Sequence, residues 1–125
     1  MEDYREVYAY RNLTVEIREK GVFGLRINET LATMLVTNLL KNAFVHNIYK
    51  GMICIETTSS GIRIGNTGTD VALDEKRIFE RFYQGTKKEG STGLGLAIVD
   101  SICRQCRLHV RYRFVDGWHW FELYR

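Results

Sequence analysis

The chain has 125 residues, no proline, 45% apolar residues and a net charge of +3 from 18 lysines and arginines against 15 acids. That length suits one compact domain over 1–125, and the apolar share excludes an intrinsically disordered chain. The basic residues are scattered, no apolar run is long enough to cross a bilayer and no signal peptide is visible, so neither a nucleic-acid partner nor direct membrane contact is expected.

Residues 1–12 mix tyrosines with charges and read as a lead-in from a preceding domain. Thr14 to Glu19 alternates apolar and polar residues, as a half-buried strand does. Gly21 to Gly24 interrupts it, and Val22 to Ile27 reads as a second short strand. Asn28 or Thr30 can cap the helix expected over Leu31 to Asn47. At 100° per residue, Ala32, Leu35, Val36, Leu39, Leu40 and Ala43 gather into one apolar face. Asn38 and Asn42 fall one turn apart on its shoulder, in a stripe with Leu35 and His46. Two amides converging beside a core offer an acceptor oxygen to a cation and donors to phosphate. Solvated or capping side chains are the plainer reading of the same pair.

Lys50 and Gly51 turn the chain into two strands, Met52 to Thr57 and Ile62 to Gly65, joined by Ser59-Ser60-Gly61. Gly65 to Asp70 then forms a tight loop in which Gly68 lets backbone approach a flat ligand closely. From Val71 to Thr92 the chain is polar and irregular, with a short helix expected over Leu73 to Gln84 and an apolar edge of Ile78, Phe79 and Phe82. A stretch of that length inside a compact domain reads as a lid. Gly90 to Leu96 opens an amphipathic helix from Thr92 to Arg107, and its exposed N–H groups suit a polyphosphate. Cys103 and Cys106 fall on that helix's apolar face and read as buried thiols rather than half a zinc site. With three cysteines and no secretion signal, the compartment expected is the reducing cytosol. Leu108 to Val115 and Trp118 to Tyr124 flank Asp116-Gly117, a strong hairpin signal. Trp118, Trp120 and Phe121 are expected to pack at the sheet edge, and His109 and His119 carry no assigned role.

The order of these features resembles the ATP-binding catalytic domain of sensor histidine kinases, within the gyrase, heat-shock-ninety, histidine-kinase and mismatch-repair ATPase superfamily. Asn38-Leu39-Leu40-Lys41-Asn42-Ala43 looks like the asparagine box, Ile78-Phe79-Glu80-Arg81-Phe82-Tyr83 the phenylalanine box, and Thr92-Gly93-Leu94-Gly95-Leu96 the start of the second glycine box. The resemblance implies a two-layer α/β sandwich (the Bergerat fold), a mixed sheet with helices on one face, and an ATP lid over 71–92. It implies ATP and Mg²⁺ as ligands, with the metal on Asn42 and Asn38 beside the phosphates. His46 would complete that nucleotide-facing stripe. Gly93 and Gly95 would offer N–H groups to the phosphates within the box formed with Thr92, Leu94 and Leu96. Arg81 and Tyr83 would come from the lid, and Asn66 and Gly68 would meet the adenine.

The activity implied is transfer of the γ-phosphoryl group to a histidine on a separate dimerisation domain, with a response regulator downstream. Alternatives within the resemblance are an anti-sigma-factor serine kinase and a nucleotide-binding docking module without catalysis. Three positions depart from the family pattern. Asn66 stands where an aspartate usually accepts from the adenine amino group, Asp70 replaces a glycine, and Gln84 replaces a phosphate-reaching arginine that Lys87 or Lys88 would have to supply. By the same resemblance, Met34 stands four residues before the first asparagine, where the superfamily's hydrolases place a carboxylate as base for water; methionine cannot take a proton, so fast hydrolysis is not expected.

Overall fold

The computed structural model describes residues 13–24, 27–48, 50–68, 72–80 and 94–125. The lead-in, Asp70, Arg81, Tyr83, Gln84, Lys87, Lys88, Thr92 and Gly93 lie outside the described residues.

Asn28 starts the first helix, α1 (Glu29–Val45), because its Oδ1 accepts from the backbone N–H groups of Thr30 (2.8 Å) and Leu31 (3.4 Å). Leu35, Leu39, Leu40, Ala43, Phe44 and Val45 form its buried face. Val36, expected in that face, is turned out and exposed, and Phe44 is buried instead. A second helix, α2 (Gly95–Gln105), packs on α1 and buries Val99, Ile102 and Cys103. It ends where Arg107 takes a left-handed conformation (φ 57°) and the N–H of buried Leu108 bonds back to the Cys103 carbonyl at 2.8 Å. Burial pushes the Cys103 thiol up to about 11, so it is a protonated core group.

The strands are β1 (Thr14–Glu19), β2 (Met52–Thr57), β3 (Gly61–Thr67), β4 (His109–Val115) and β5 (Trp118–Tyr124), in the order β1-β2-β3-β5-β4. β1 runs parallel to β2 and the other pairs are antiparallel, which makes the sheet mixed. Asp116 (φ 49°) and Gly117 (φ 81°) form the β4–β5 turn that Asp-Gly announces. One face of the sheet carries Ile53, Ile64, Tyr112, Phe121 and Leu123 into the core beneath the two helices.

Four expectations need correction. Residues 22–24 and 27 form no strand: β1 is an edge strand whose ladder ends with Lys20 on Thr57, and Val22 points to solvent at 85% exposure. Over 72–80 there is a turn rather than a helix, because Asp74 uses its carboxylate and carbonyl to gather the N–H groups of Lys76, Arg77 and Ile78. That turn is enough to bury Ile78 and set Phe79 edge-on to Phe121, with ring centroids 6.2 Å apart. β3 extends to Thr67, which places Asn66 inside the strand and not in the loop after it. β5 lies between β3 and β4, not at an edge, so Phe121 enters the core while Trp118 and Trp120 lie on the other face.

That other face closes itself. Glu56 collects Arg63 (3.1 Å), Lys20 (3.4 Å) and Arg18 (3.9 Å), and Glu122 collects Arg111, Arg113 (3.7 Å) and Arg63 (3.8 Å). Trp120 lies flat over Gly65, stacks on Trp118 and is covered by the Arg63 guanidinium 4.3 Å from its centroid. Burial alone would raise the Glu56 carboxyl, but the Arg63 hydrogen bond and the charges of Arg63 and Lys20 hold it below its ordinary value.

Candidate functional site

α1 carries Asn38, Asn42 and His46 along one side, as their spacing requires. The Asn38 amide donates to the Met34 carbonyl at 2.7 Å, which leaves its Oδ1 as the outward end. That oxygen meets the start of α2: a Cβ added at Gly95 would stand 3.3 Å from it. Helix α2 begins at Leu94 with no side-chain cap, so the N–H groups of its first turn have no intrahelical acceptor. The asparagine stripe and the glycine-rich helix start, fifty-odd positions apart in the chain, are thereby neighbours. Helix-start N–H groups and the dipole favour an anion there. Asn42 is half-buried, and its carboxamide makes no hydrogen bond to another described residue. Leu96 is partly buried against the core and supports the helix start rather than facing outward.

His46 caps the end of α1, its N–H bonded to the Asn42 carbonyl at 3.1 Å. Its own carbonyl lies 2.9 Å from where a Cβ of Gly68 would stand, and the His119 ring lies 3.2 Å from the same point. Gly68 therefore has a packing reason to be glycine: the end of β3 passes between a helix terminus and a buried ring.

Asn66 sits beside it, 2% exposed, paired with Ile53 on β2 and with His119 on β5. Its Nδ2 donates to the Thr67 carbonyl at 2.9 Å. Its Oδ1 is buried and has no hydrogen-bond partner among the described residues. The amide orientation follows from chemistry, since turning it over would set oxygen against the Thr67 carbonyl oxygen. A buried acceptor left unmade costs about 1–3 kcal/mol, so this is a place where a donor from outside the chain is favoured.

Two further groups in this region had been given no role. His119 is buried, and its Nδ1 shares a 2.6 Å hydrogen bond with the Tyr112 hydroxyl, which also accepts from the Leu73 N–H at 3.0 Å. The root of the 72–80 segment is thus fastened to Tyr112 on β4 and, through it, to His119, the β5 partner of Asn66. Burial raises the Tyr112 hydroxyl above its ordinary value against the opposing Leu73 bond, so it stays protonated. The alternation of β5 was the available signal, because residues 119, 121 and 123 share the inward face. The second missed element is Asn47 with Thr67, whose hydrogen bond spans 20 positions and leaves no mark in local periodicity.

Residues 27–121 match the family model described as histidine kinase-, DNA gyrase B-, and HSP90-like ATPase. The chain is 31% identical over 109 residues to the sensor-like histidine kinase SenX3 of Mycobacterium tuberculosis, covering 78% of this chain and 27% of that protein. It is 39% identical over 105 residues to the sensor histidine kinase RppB of Synechocystis, covering 77% of this chain and 23% of that protein. The chain therefore spans only about a quarter of the length of these relatives. The fold matches a solved mycobacterial sensor histidine kinase, MprB, with a TM-score of 0.82 at 18% identity, covering 98% of this chain and 87% of that one. With its asparagine stripe, glycine-rich helix start and sheet order in place, the chain belongs to the histidine kinase-, DNA gyrase B- and HSP90-like ATPase family.

Proposed function

We propose that residues 1–125 are the ATP-binding catalytic domain of a two-component sensor histidine kinase, with 71–92 as its lid. The observation that carries this reading is the buried, unpartnered Oδ1 of Asn66, an acceptor waiting for a donor such as the 6-amino group of adenine. The phosphates would then reach the N-terminus of α2, between Gly95 and the Asn38 amide. Gly68, His46, Leu94 and Leu96 shape the surroundings, while Arg81, Tyr83, Thr92 and Gly93 are assigned by the resemblance alone.

Mg²⁺ is part of the proposal, and the donor set fits it. Mg²⁺ prefers hard oxygens, keeps several waters and takes few protein ligands beside substrate phosphates. The half-buried Asn42 carboxamide, with no other hydrogen bond to a described residue, offers one such oxygen. Bound there, the metal would neutralise charge on the phosphates. The chain's own contribution is to hold the nucleotide in line, because phosphoryl transfer asks chiefly for positioning and charge stabilisation. The nucleophile would be a histidine of a separate dimerisation domain, with a response regulator as the later recipient. His46 is a poor substitute, because it belongs to the stripe of Asn38 and Asn42 that would face the nucleotide. No helix among the described residues is long and apolar enough to cross a membrane. The proposed setting is the cytoplasmic side of a parent kinase.

The test is calorimetric titration with Mg-ATP, then incubation with γ-labelled ATP with and without a parent dimerisation domain. Binding without self-labelling, and acid-labile label on the added domain, support the reading. Absence of Mg-ATP binding, or label on His46, His109 or His119 of this chain, contradicts it.

A further inference from the structure

An acceptor made from an amide has a weakness that a carboxylate lacks. Both oxygens of a carboxylate accept, whichever way the group is turned. An asparagine presents oxygen in one orientation and NH₂ in the other. Asn66 therefore reads a base correctly only if something fixes its rotation.

Thr67 supplies that constraint, since its carbonyl takes the Asn66 Nδ2 at 2.9 Å and leaves Oδ1 as the free end. Thr67 is itself gripped through its side chain. Its hydroxyl donates to Asn47 Oδ1 at 2.7 Å and accepts from the Met52 N–H at 2.8 Å. Asn47 is 2% exposed and anchored at both ends, taking the Ile48 N–H at 2.9 Å and donating to the Met52 carbonyl at 3.0 Å. Gly51 makes room, because a Cβ there would stand 2.0 Å from Asn47 Oδ1 and 2.5 Å from Thr67 Oγ1. The end of α1, the start of β2 and the end of β3 are locked together one residue from the unpartnered acceptor. A satisfied network of this kind holds one geometry.

We propose that Asn47 and Thr67 are specificity-positioning residues: they fix the Asn66 carboxamide with its oxygen as the unpartnered end, so that the site takes a 6-amino purine and rejects a 6-oxo purine. This rests on the reading that the base lies against Asn66. If the lock is released, the amide can turn over and present NH₂, which suits the 6-oxo group instead.

ATP and inosine triphosphate differ only in the 6-substituent and in the N1 proton that accompanies the 6-oxo form, so the ratio of their dissociation constants is the readout. The wild type should prefer ATP. Thr67→Val, which keeps shape but loses the hydroxyl, should cut the preference several-fold, the scale of one neutral hydrogen bond of about 1 kcal/mol. Thr67→Ser should restore it. In an Asn66→Asp background, where orientation no longer matters, Thr67→Val should leave the ratio unchanged. An unchanged ratio in the single variant overturns the positioning role, and so does an equal loss in the Asn66→Asp background, which marks general structural damage. A wild type with no preference overturns the Asn66 reading and this proposal together. Should Thr67→Val fail to fold by circular dichroism, Asn47→Ser carries the same expectations.

Discussion

The two faces of the sheet treat buried polar groups differently. On the outer face Glu56 and Glu122 are each ringed by three cations, with Arg63 shared between them. On the inner face His119 is paired with Tyr112, but Asn66, more deeply buried than either glutamate, keeps an acceptor with no partner among the described residues. Selection for stability alone would pair or remove such a group, since an unmade buried hydrogen bond costs more than an apolar replacement. The paired face is sealed by arginine and indole in place of a third layer. The unpaired one is where a ligand has something to add. A polar residue marks a site less by its type than by whether the fold leaves it something to do.

Substitutions on the two faces should differ in both size and kind. Phe121 is the inner face's central side chain, edge-on to Phe79 and packed on Tyr112. Phe121→Ala should cost about 3–5 kcal/mol in a denaturant titration, and a loss under about 1 kcal/mol would show that the sheet does not rest on this face. Asn42→Ala should weaken Mg-ATP at least tenfold, about 1.4 kcal/mol or more, and metal-free ATP far less. Equal losses with and without Mg²⁺ would remove the metal from that position.

The outer face should behave oppositely. Glu122→Gln keeps size but loses the charge that Arg63, Arg111 and Arg113 share. It should cost about 1 kcal/mol of stability and leave Mg-ATP affinity unchanged. A fall in affinity would couple the two faces. Glu56 adds a pH signature. Its carboxyl titrates below its ordinary value in the folded state, so its contribution is present above the unfolded value of about 4.3 and is lost as pH falls through the folded one. Glu56→Gln should flatten the acid limb of a stability–pH curve.

Much of this was legible in the chain, and for identifiable reasons. The α1 stripe of Asn38, Asn42 and His46 follows from local periodicity, and the Asp116-Gly117 turn from backbone preference; both rules act over a few residues. What escaped was set by register and distance. That Asn66 lies within β3 opposite His119, that Tyr112 ties His119 to Leu73, and that Asn47 grips Thr67 all depend on partners 7 to 53 positions away. The helix expected over Leu73 to Gln84 failed over 72–80 because Asp74 gathers the nearby N–H groups into a turn and the core accepts Ile78 and Phe79 from it. Val36 was misplaced by a different route, since a helical wheel gives the width of an apolar face but not how far the helix is rotated against the sheet.

In the proposed complex the unpartnered oxygen of Asn66 receives the amino group of adenine. Calorimetric titration of ATP and inosine triphosphate into the wild type and Asn66→Ala tests it most directly. The wild type should prefer ATP, and the substitution should remove several-fold of that preference, on the order of 1 kcal/mol, by weakening ATP and sparing the 6-oxo nucleotide. An ATP preference that survives Asn66→Ala intact would place the base elsewhere and contradict it.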